Sequence, residues 1–463
     1  MIRFKRILLI TPPHLNQGGY TPSPLSLLYL AGYIRQDKKI KIKVVDGAKD
    51  GEKSVIEALG LFKPDLIGIT SHTASRHDAF RAAALIKKLL PKSKVVLGGI
   101  HPTLMWKQIL ENYPQVDYIV RGEGEIILWE LVHGKQIKKI NGLCWKTKNN
   151  KAVINKDRQL VQDLDTIPFP AWDMISPQDY PPWGDGIYNN IDTTKVTRFS
   201  MIFTRGCMGR CTFCSSWMVW RGYRNRTAEN VADEMEMLVK KYNAQHFAFY
   251  DDTLTGNKKE IINFCKEIIK RKLHVAIHAT TRVDQVDYEI LRWMKKAGFY
   301  EVAYGIESGS PEMLIRINKK TDIKKNYRAA DLTHKAGMRV SALIMFGLPQ
   351  ETEKDRILTQ ALIKKMKPDR LGTVGVVWIF PGTALYEQAK NANLITDDYW
   401  LGKKPYYLYR GGIGGDPINR LAQIKDLILY SVSGSVLEAP LTTFFIRSER
   451  LLSKIKVKMK LAN

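Results

Sequence analysis

The sequence predicts an α/β protein in three parts: an N-terminal doubly wound parallel sheet, an open, partial (β/α)6 barrel and a mainly helical C-terminal region. Three observations predict it. Residues 1 to 135 alternate short apolar runs with stretches of helical periodicity. A second alternation of this kind, six repeats long, starts near residue 196. A Pro- and Trp-rich stretch without periodicity separates the two.

In the first alternation RILLITPP, IKVVDG, PDLIGITS, KVVLGG and VDYIVRGE read as strands. PLSLLYLAGYIRQ, VIEALGLF, DAFRAAALIKKLL and WKQILENY read as the helices between them. Strands apolar on both faces, joined by helical crossovers, imply a Rossmann-like sheet that binds ligands beyond the carboxyl ends of its strands. At those ends stand TSHTAS (70–75), LGGIHPT (97–103) and RGEGE (121–125).

Residues 136–195 read as a connector. INGLCWKTKNNKAVIN fits a hairpin turning at Asn149 and Asn150, whereas DTIPFPAWDMISPQDYPPWGDG lacks any period. From 196 to 384 the strands RFSMIFTRG, HFAFYDDTL, HVAIHATTRV, YEVAYGIES, RVSALIMFGLP and LGTVGVVWIF alternate with helices predicted at 227–241, 257–271, 287–297, 322–336 and 353–367. Six repeats fall short of eight, so the unit is a partial, TIM-like barrel with its working face at the strand C-termini. Residues 385–463 read as mainly helical with a basic tail. Arg447, Arg450, Lys454, Lys456, Lys458 and Lys460 there stand against Glu449. Such a tail suits peripheral contact with a membrane surface or an acidic partner; its final period-two alternation equally fits an edge strand.

The formal charge of +26 over 463 residues favours anionic partners and says nothing about fold. Five cysteines are no disulfide framework, which points to a reducing cytoplasm, and the short apolar start MIRFKRILLITPP reads as a strand rather than a signal peptide. No run reaches the ~18 apolar residues of a membrane span.

The chemistry concentrates in FTRGCMGRCTFCSS, residues 203–216. Cys207, Cys211 and Cys214 follow the spacing C-x3-C-x2-C with no fourth cysteine nearby. Zinc sites pair cysteines with a second pair or with two histidines. The nearest later candidates, His246 and Cys265, fall on a strand and a helix and read as core, so zinc is disfavoured. Three thiolates on an iron–sulfur cube leave one iron free for another ligand.

The motif C-x3-C-x-aromatic-C, with Phe213 at the aromatic position and the first barrel strand before it, resembles the radical S-adenosylmethionine (SAM) enzymes. The resemblance implies a 4Fe–4S cluster on Cys207, Cys211 and Cys214 whose fourth iron is chelated by SAM. Reduction then cleaves SAM to methionine and a 5′-deoxyadenosyl radical that abstracts a hydrogen atom. It implies an electron donor such as ferredoxin or flavodoxin. It also places SAM contacts at Phe213 and at Asp251 and Asp252 in FYDDTLT, where a helix cap is the alternative. Arg282 in TRVD either faces the SAM carboxylate or pairs with Asp284. Glu307 and Ser308 in YGIESGS match a SAM-contacting pair, the alternative being a Gly-rich turn with a solvated Glu. No residue beyond these is assigned a catalytic role. The loops FGLPQET and FPGT shape the rim.

PLSLLYLAGYI, GITSHT, LGGIHPT and DYIVRGEGE resemble, in this order, the cobalamin-binding domain fused to a large subgroup of these enzymes. The resemblance implies cobalamin contacts at Ser71, Thr73, Gly98, Gly99, His101, Thr103 and Glu123. The D-x-H-x-x-G motif that ligates cobalt elsewhere is missing, since Asp46-Gly47 is followed by Ala48. The expected activity is a cobalamin-dependent radical modification of an unactivated carbon, by methyl transfer through methylcobalamin. The alternatives are oxidative cyclisation or C–C bond formation on a tetrapyrrole or lipid, as in the protoporphyrin-ester cyclase branch, and a non-enzymatic cobalamin carrier. The expected substrate is a small molecule or lipid, anionic or membrane-resident, and nucleic acid is disfavoured. Methylthiotransfer to tRNA needs three N-terminal cysteines, and residues 1–143 contain none.

Overall fold

The computed structural model describes residues 3–13, 22–147, 149–393 and 395–401; the basic tail expected at the C-terminus lies outside them. The first unit comprises β1 (Arg6–Thr11), α1 (Leu25–Ile34), β2 (Lys41–Asp46), α2 (Gly47–Phe62), β3 (Leu66–Thr70), α3 (Arg76–Leu89), β4 (Lys94–Gly98), α4 (Ile100–Leu104), α5 (Trp106–Asn112), β5 (Tyr118–Val120) and α6 (Glu125–Val132). Its strands are parallel in the order β2-β1-β3-β4-β5. Alternate residues of β1 enter opposite cores: Ile7 and Leu9 meet α1 and α6, while Leu8 and Ile10 meet α2 and α3. Burial on both faces makes each strand apolar throughout.

The hairpin expected in the connector belongs to this sheet. β6 (Leu143–Lys146) pairs antiparallel with β5, and β7 (Ala152–Ile154) with β6, turning through Asn150 at φ 58°. A short hairpin, β8 (Ile187–Tyr188) and β9 (Ile191–Asp192), follows.

The second unit begins with β10 (Arg198–Met201). A two-residue pair, β11 (Thr204–Arg205) and β12 (Arg224–Asn225), brackets a loop containing α7 (Ser216–Trp220). Then follow α8 (Ala228–Tyr242), β13 (His246–Phe249), α9 (Lys258–Lys270), β14 (Ala276–Thr281), α10 (Tyr288–Lys296), β15 (Phe299–Glu307), α11 (Pro311–Arg316), α12 (Ile323–Lys335), β16 (Arg339–Phe346), α13 (Glu353–Met366), β17 (Arg370–Val376) and α14 (Ala384–Asn391). The sheet is parallel in the order β10-β13-β14-β15-β16-β17, and β10 and β17 do not pair, so the barrel stays open. Its helices start on local capping chemistry. Thr227, Asn257, Asp287, Asp322, Thr352 and Thr383 each accept the backbone N–H three residues on with their side chains. Among the described residues no helix is long and apolar enough to cross a membrane.

His246 and Cys265 are fully buried in the barrel. His246 Nε2 meets the Tyr300 hydroxyl at 3.1 Å, and burial pulls its pKa down to about 3 from 6.5. Between those two values the unfolded chain binds a proton that the fold rejects, so stability falls as the pH drops through that window. The slope is up to about 1.4 kcal/mol per pH unit. His246→Gln, which keeps a partner for Tyr300, is expected to move the acid-unfolding midpoint to lower pH, as read by circular dichroism.

Candidate functional site

The three cysteines hang on a loop fixed at both ends. At its start the Asp251 carboxylate accepts the backbone N–H groups of Phe203 and Thr204. Burial pushes the Asp251 pKa up to about 7 against those bonds. Gly206 sits at φ +94°, where a Cβ would stand 1.7 Å from the Gly222 carbonyl oxygen across the β11–β12 ladder. Further along, Thr212 N–H donates to Ile317 O (3.0 Å), Leu385 N–H to Thr212 O (3.0 Å) and Asn318 Nδ2 to Arg210 O (2.8 Å). Cys207 Sγ accepts from Gly209 N–H and from Thr253 Oγ1, each at 3.2 Å.

Burial raises the Cys211 thiol pKa and pushes Cys214 up to about 12; in each case the neighbouring cysteines add to the rise. Three sulfurs near enough to repel as anions need cationic charge to hold them as thiolates. Lys319 and Arg282 supply part of it, both favouring the Cys211 thiolate. Among the described residues no three such side chains converge to hold a single metal ion.

The other expected SAM contacts surround this loop. Arg282, just past β14, is clamped in a bidentate pair with Asp284 (2.9 Å to each oxygen) and donates to Lys319 O at 2.8 Å. A Cβ on Gly209 would meet Arg282 Nη1 at 2.7 Å and Cys207 Sγ at 3.4 Å, so the guanidinium lies over the loop. Glu307 stands at φ +64° where the β15–β16 register slips, and Lys319 Nζ binds its carboxylate at 2.7 Å. It is therefore buried and paired rather than solvated. Ser308 is fully buried, bonded to Thr359 Oγ1 and Ser310 N–H. Asp252 accepts from Ser216 Oγ at 2.5 Å, on the first turn of α7. Asn257, not either aspartate, caps α9. Phe213 packs half-buried against the core below α14.

Ser71, Thr73, Gly98, Gly99, His101 and Thr103 gather at the carboxyl edge of β3 and β4. Gly99 (φ +98°) lies against Ser71, whose carbonyl oxygen a Cβ would approach to 2.4 Å, while Gly98 faces open space. Thr103 Oγ1 donates to Gly99 O and accepts from Gly122 N–H. His101 Nδ1 meets Thr73 Oγ1 at 3.2 Å, and its buried Nε2 has no partner among the described residues. Burial holds His101 neutral, its pKa pulled down to about 3. Open space, close backbone and an orphaned buried nitrogen at this edge fit a bulky polar ligand. Asp46, which is not followed by the D-x-H-x-x-G pattern, is engaged by Thr11 Oγ1 and Tyr180 OH. Glu123 turns away from the edge and bonds Arg205 (3.0 Å), Arg224 (2.9 Å) and Val161 N–H (2.8 Å), tying the first sheet to the cysteine loop.

The radical SAM superfamily model matches residues 201–386 and the B12 binding domain model matches residues 15–132. An uncharacterised methyltransferase of Pyrococcus horikoshii is 32% identical over 411 residues, covering 86% of each chain. The chain belongs to the cobalamin-binding radical SAM enzymes. The anaerobic magnesium-protoporphyrin IX monomethyl ester cyclase of Rubrivivax gelatinosus is 34% identical over 379 residues, 79% of this chain and 66% of that protein. The fold is also that of the methyltransferase TsrM from Kitasatospora setae, solved with cobalamin and a 4Fe–4S cluster bound, at TM-score 0.68 and 20% identity over 84% of this chain and 75% of that one. The cofactors of the radical SAM enzyme are accordingly a 4Fe–4S cluster, SAM and cobalamin.

The sequence did not single out four residues that shape this radical SAM site. Lys319 follows α11 and carries no motif. Thr253 was hidden beside the two aspartates it follows, and Arg205 and Arg224 become partners only across β11 and β12. The glycine before Cys207 could have been found, since only glycine tolerates both its φ and its neighbour. Gly206→Ala is expected to push β12 away and sharply reduce iron incorporation into anaerobically reconstituted protein, measured as iron per chain.

Proposed function

We propose that the enzyme methylates an unactivated carbon of its substrate, using Cys207, Cys211 and Cys214 as cluster ligands. One observation carries the reading: a three-thiol loop is locked against the carboxyl edge of the B12 sheet through Glu123, Arg205 and Arg224. When bound, the cluster supplies the electron that cleaves SAM homolytically, and the corrinoid supplies a methyl group to a substrate radical. The residues' own work is positional. In this reading Asp252 receives the SAM amino group, Arg282 faces the SAM carboxylate with the Nη1 that Asp284 leaves over the cysteine loop, and Glu307 and Phe213 are further SAM contacts, Glu307 paired with Lys319. Asp251 and Ser308 hold the loops rather than the ligand. Ser71, Thr73, Gly98, Gly99, His101 and Thr103 form the cobalamin edge. The electron comes from a ferredoxin- or flavodoxin-like donor. A second reading, oxidative cyclisation, is favoured by the 34% identity to the Rubrivivax cyclase.

The test follows methyl-labelled SAM through the anaerobic, reduced holoenzyme incubated with extracts. Methylation delivers label to a product carbon together with equal amounts of S-adenosylhomocysteine and 5′-deoxyadenosine. 5′-Deoxyadenosine without label transfer selects cyclisation.

A further inference from the structure

A shallow cleft, open to solvent, lies between β5, the chain after β7 and α7, with an enclosed volume of only about 30 Å³. It adjoins the β3–β4 edge, sharing Thr103 with it, and borders the helix that follows Cys214. Its walls carry Arg121, Arg158, Arg221 and Asp157, with Leu160 and Met218 as the apolar side.

Asp157 has an unusual assignment. Its Oδ1 lies 2.6 Å from Arg121 Nη1 and its Oδ2 lies 2.8 Å from Arg221 Nη1, one oxygen to each guanidinium. Among the described residues neither arginine has a second carboxylate. Arg158 is already paired with Glu130, and Glu123 at the back of the cleft is consumed by Arg205 and Arg224. The cleft therefore holds two converging guanidinium groups that share one negative charge. Asp157 and Arg221 are themselves substantially exposed, so their pairing is screened and readily exchanged. Arg221 is the left-handed C-cap of α7, at φ 40°. Two forked donors aimed at one carboxylate also form the geometry that receives a carboxylate or phosphate from outside.

We propose that this cleft is an anion subsite for the substrate, in which a carboxylate or phosphate group displaces Asp157 from between Arg121 and Arg221. The proposal rests on the reading above, that a methylating enzyme has its cysteine loop locked against the B12 sheet, and it names the residues that would receive the charged group of an anionic substrate.

The test labels the full-length, reconstituted protein with phenylglyoxal and reads modification at each arginine by peptide mass spectrometry. Phenyl phosphate and benzoate serve as separate protecting probes at constant ionic strength. Saturable protection of Arg121 and Arg221, with no protection of the exposed Arg292 and Arg328, is the expected result. Whichever probe protects identifies the group. Asp157→Asn removes the competing charge, so half-protection is expected at a several-fold lower probe concentration. Arg221→Gln removes one of two charge-assisted bonds and should raise the concentration that half-protects Arg121 by about tenfold or more. Should Asp157→Asn fail to fold, the exposed Arg221→Gln carries the test alone. Absence of saturable protection in the wild type, or protection unchanged in both variants, overturns the proposal. No turnover is needed, so failure here is separate from failure of methyl transfer.

Discussion

Replacing Cys211 with alanine is expected to abolish SAM cleavage while cobalamin uptake survives. Cys211 is buried, at 7% exposure, in the middle of the three-thiol loop. Its removal leaves two thiolates, too few to hold a cube with one corner reserved for the co-substrate. The fold should tolerate the change. The lost sulfur costs about 1–2 kcal/mol of packing, and the loop keeps its backbone anchors at Thr212 and Arg210. The cobalamin edge at Ser71, Gly99 and His101 belongs to a different sheet, held by its own hydrogen bonds between β3 and β4. Three measurements on anaerobically reconstituted protein check the result: iron per chain, cobalamin per chain and 5′-deoxyadenosine formed under strong reductant. Cys211→Ala that still forms 5′-deoxyadenosine at the wild-type rate would refute the cluster assignment.

The main elements of this architecture were legible because local signals and long-range packing agree. The helix predicted at 227–241 spans Ala228–Tyr242, and that at 322–336 spans Ile323–Lys335. Each opens on a capping side chain and presents an amphipathic face to a strand, so periodicity and cap mark the same boundary. Elements too short to show a period escaped. β8 and β9 are two residues each, turned by Asn189 and Asn190 at φ 51° and 59°. β11, β12 and the five-residue α7 are fixed by their surroundings rather than by propensity. The junction between connector and first sheet was drawn at 135, yet β6 and β7 extend the sheet to Ile154. An antiparallel edge hairpin looks the same in sequence whether free or docked. The site divides along the same line. Cys207, Cys211 and Cys214 are contiguous and were readable. The Lys319–Glu307 pair and the sharing of Asp157 by two arginines join distant segments, and only folding brings them together.

The second large effect is expected from Glu123→Ala. Arg205 and Arg224 are direct partners across the two-residue ladder of β11 and β12, an arrangement in which like charges repel. Both are buried, and the Glu123 carboxylate reaches each of them while its other oxygen accepts Val161 N–H. Glu125 assists on one side, 2.6 Å from Arg205. Burial alone would raise the Glu125 pKa, but Arg205 beside it holds the carboxyl below its ordinary value. Alanine at 123 leaves two facing buried guanidinium groups with one carboxylate between them, and breaking a buried pair in this way costs about 3–5 kcal/mol. The first thermal transition is expected to fall by roughly 10 °C. Arg205 lies two residues before Cys207, so iron loading should fall as well. Glu123→Gln keeps one oxygen to accept from both arginines but loses the charge and the acceptor for Val161 N–H, and its loss should be smaller than that of Glu123→Ala. Adding Arg224→Met to Glu123→Ala removes one of the opposed cations and should restore part of the stability, a non-additivity that a double-mutant cycle reads directly. If Glu123→Ala melts with the wild type, the two sheets are joined by their apolar cores alone and the ion network is an ornament of the junction rather than its lock.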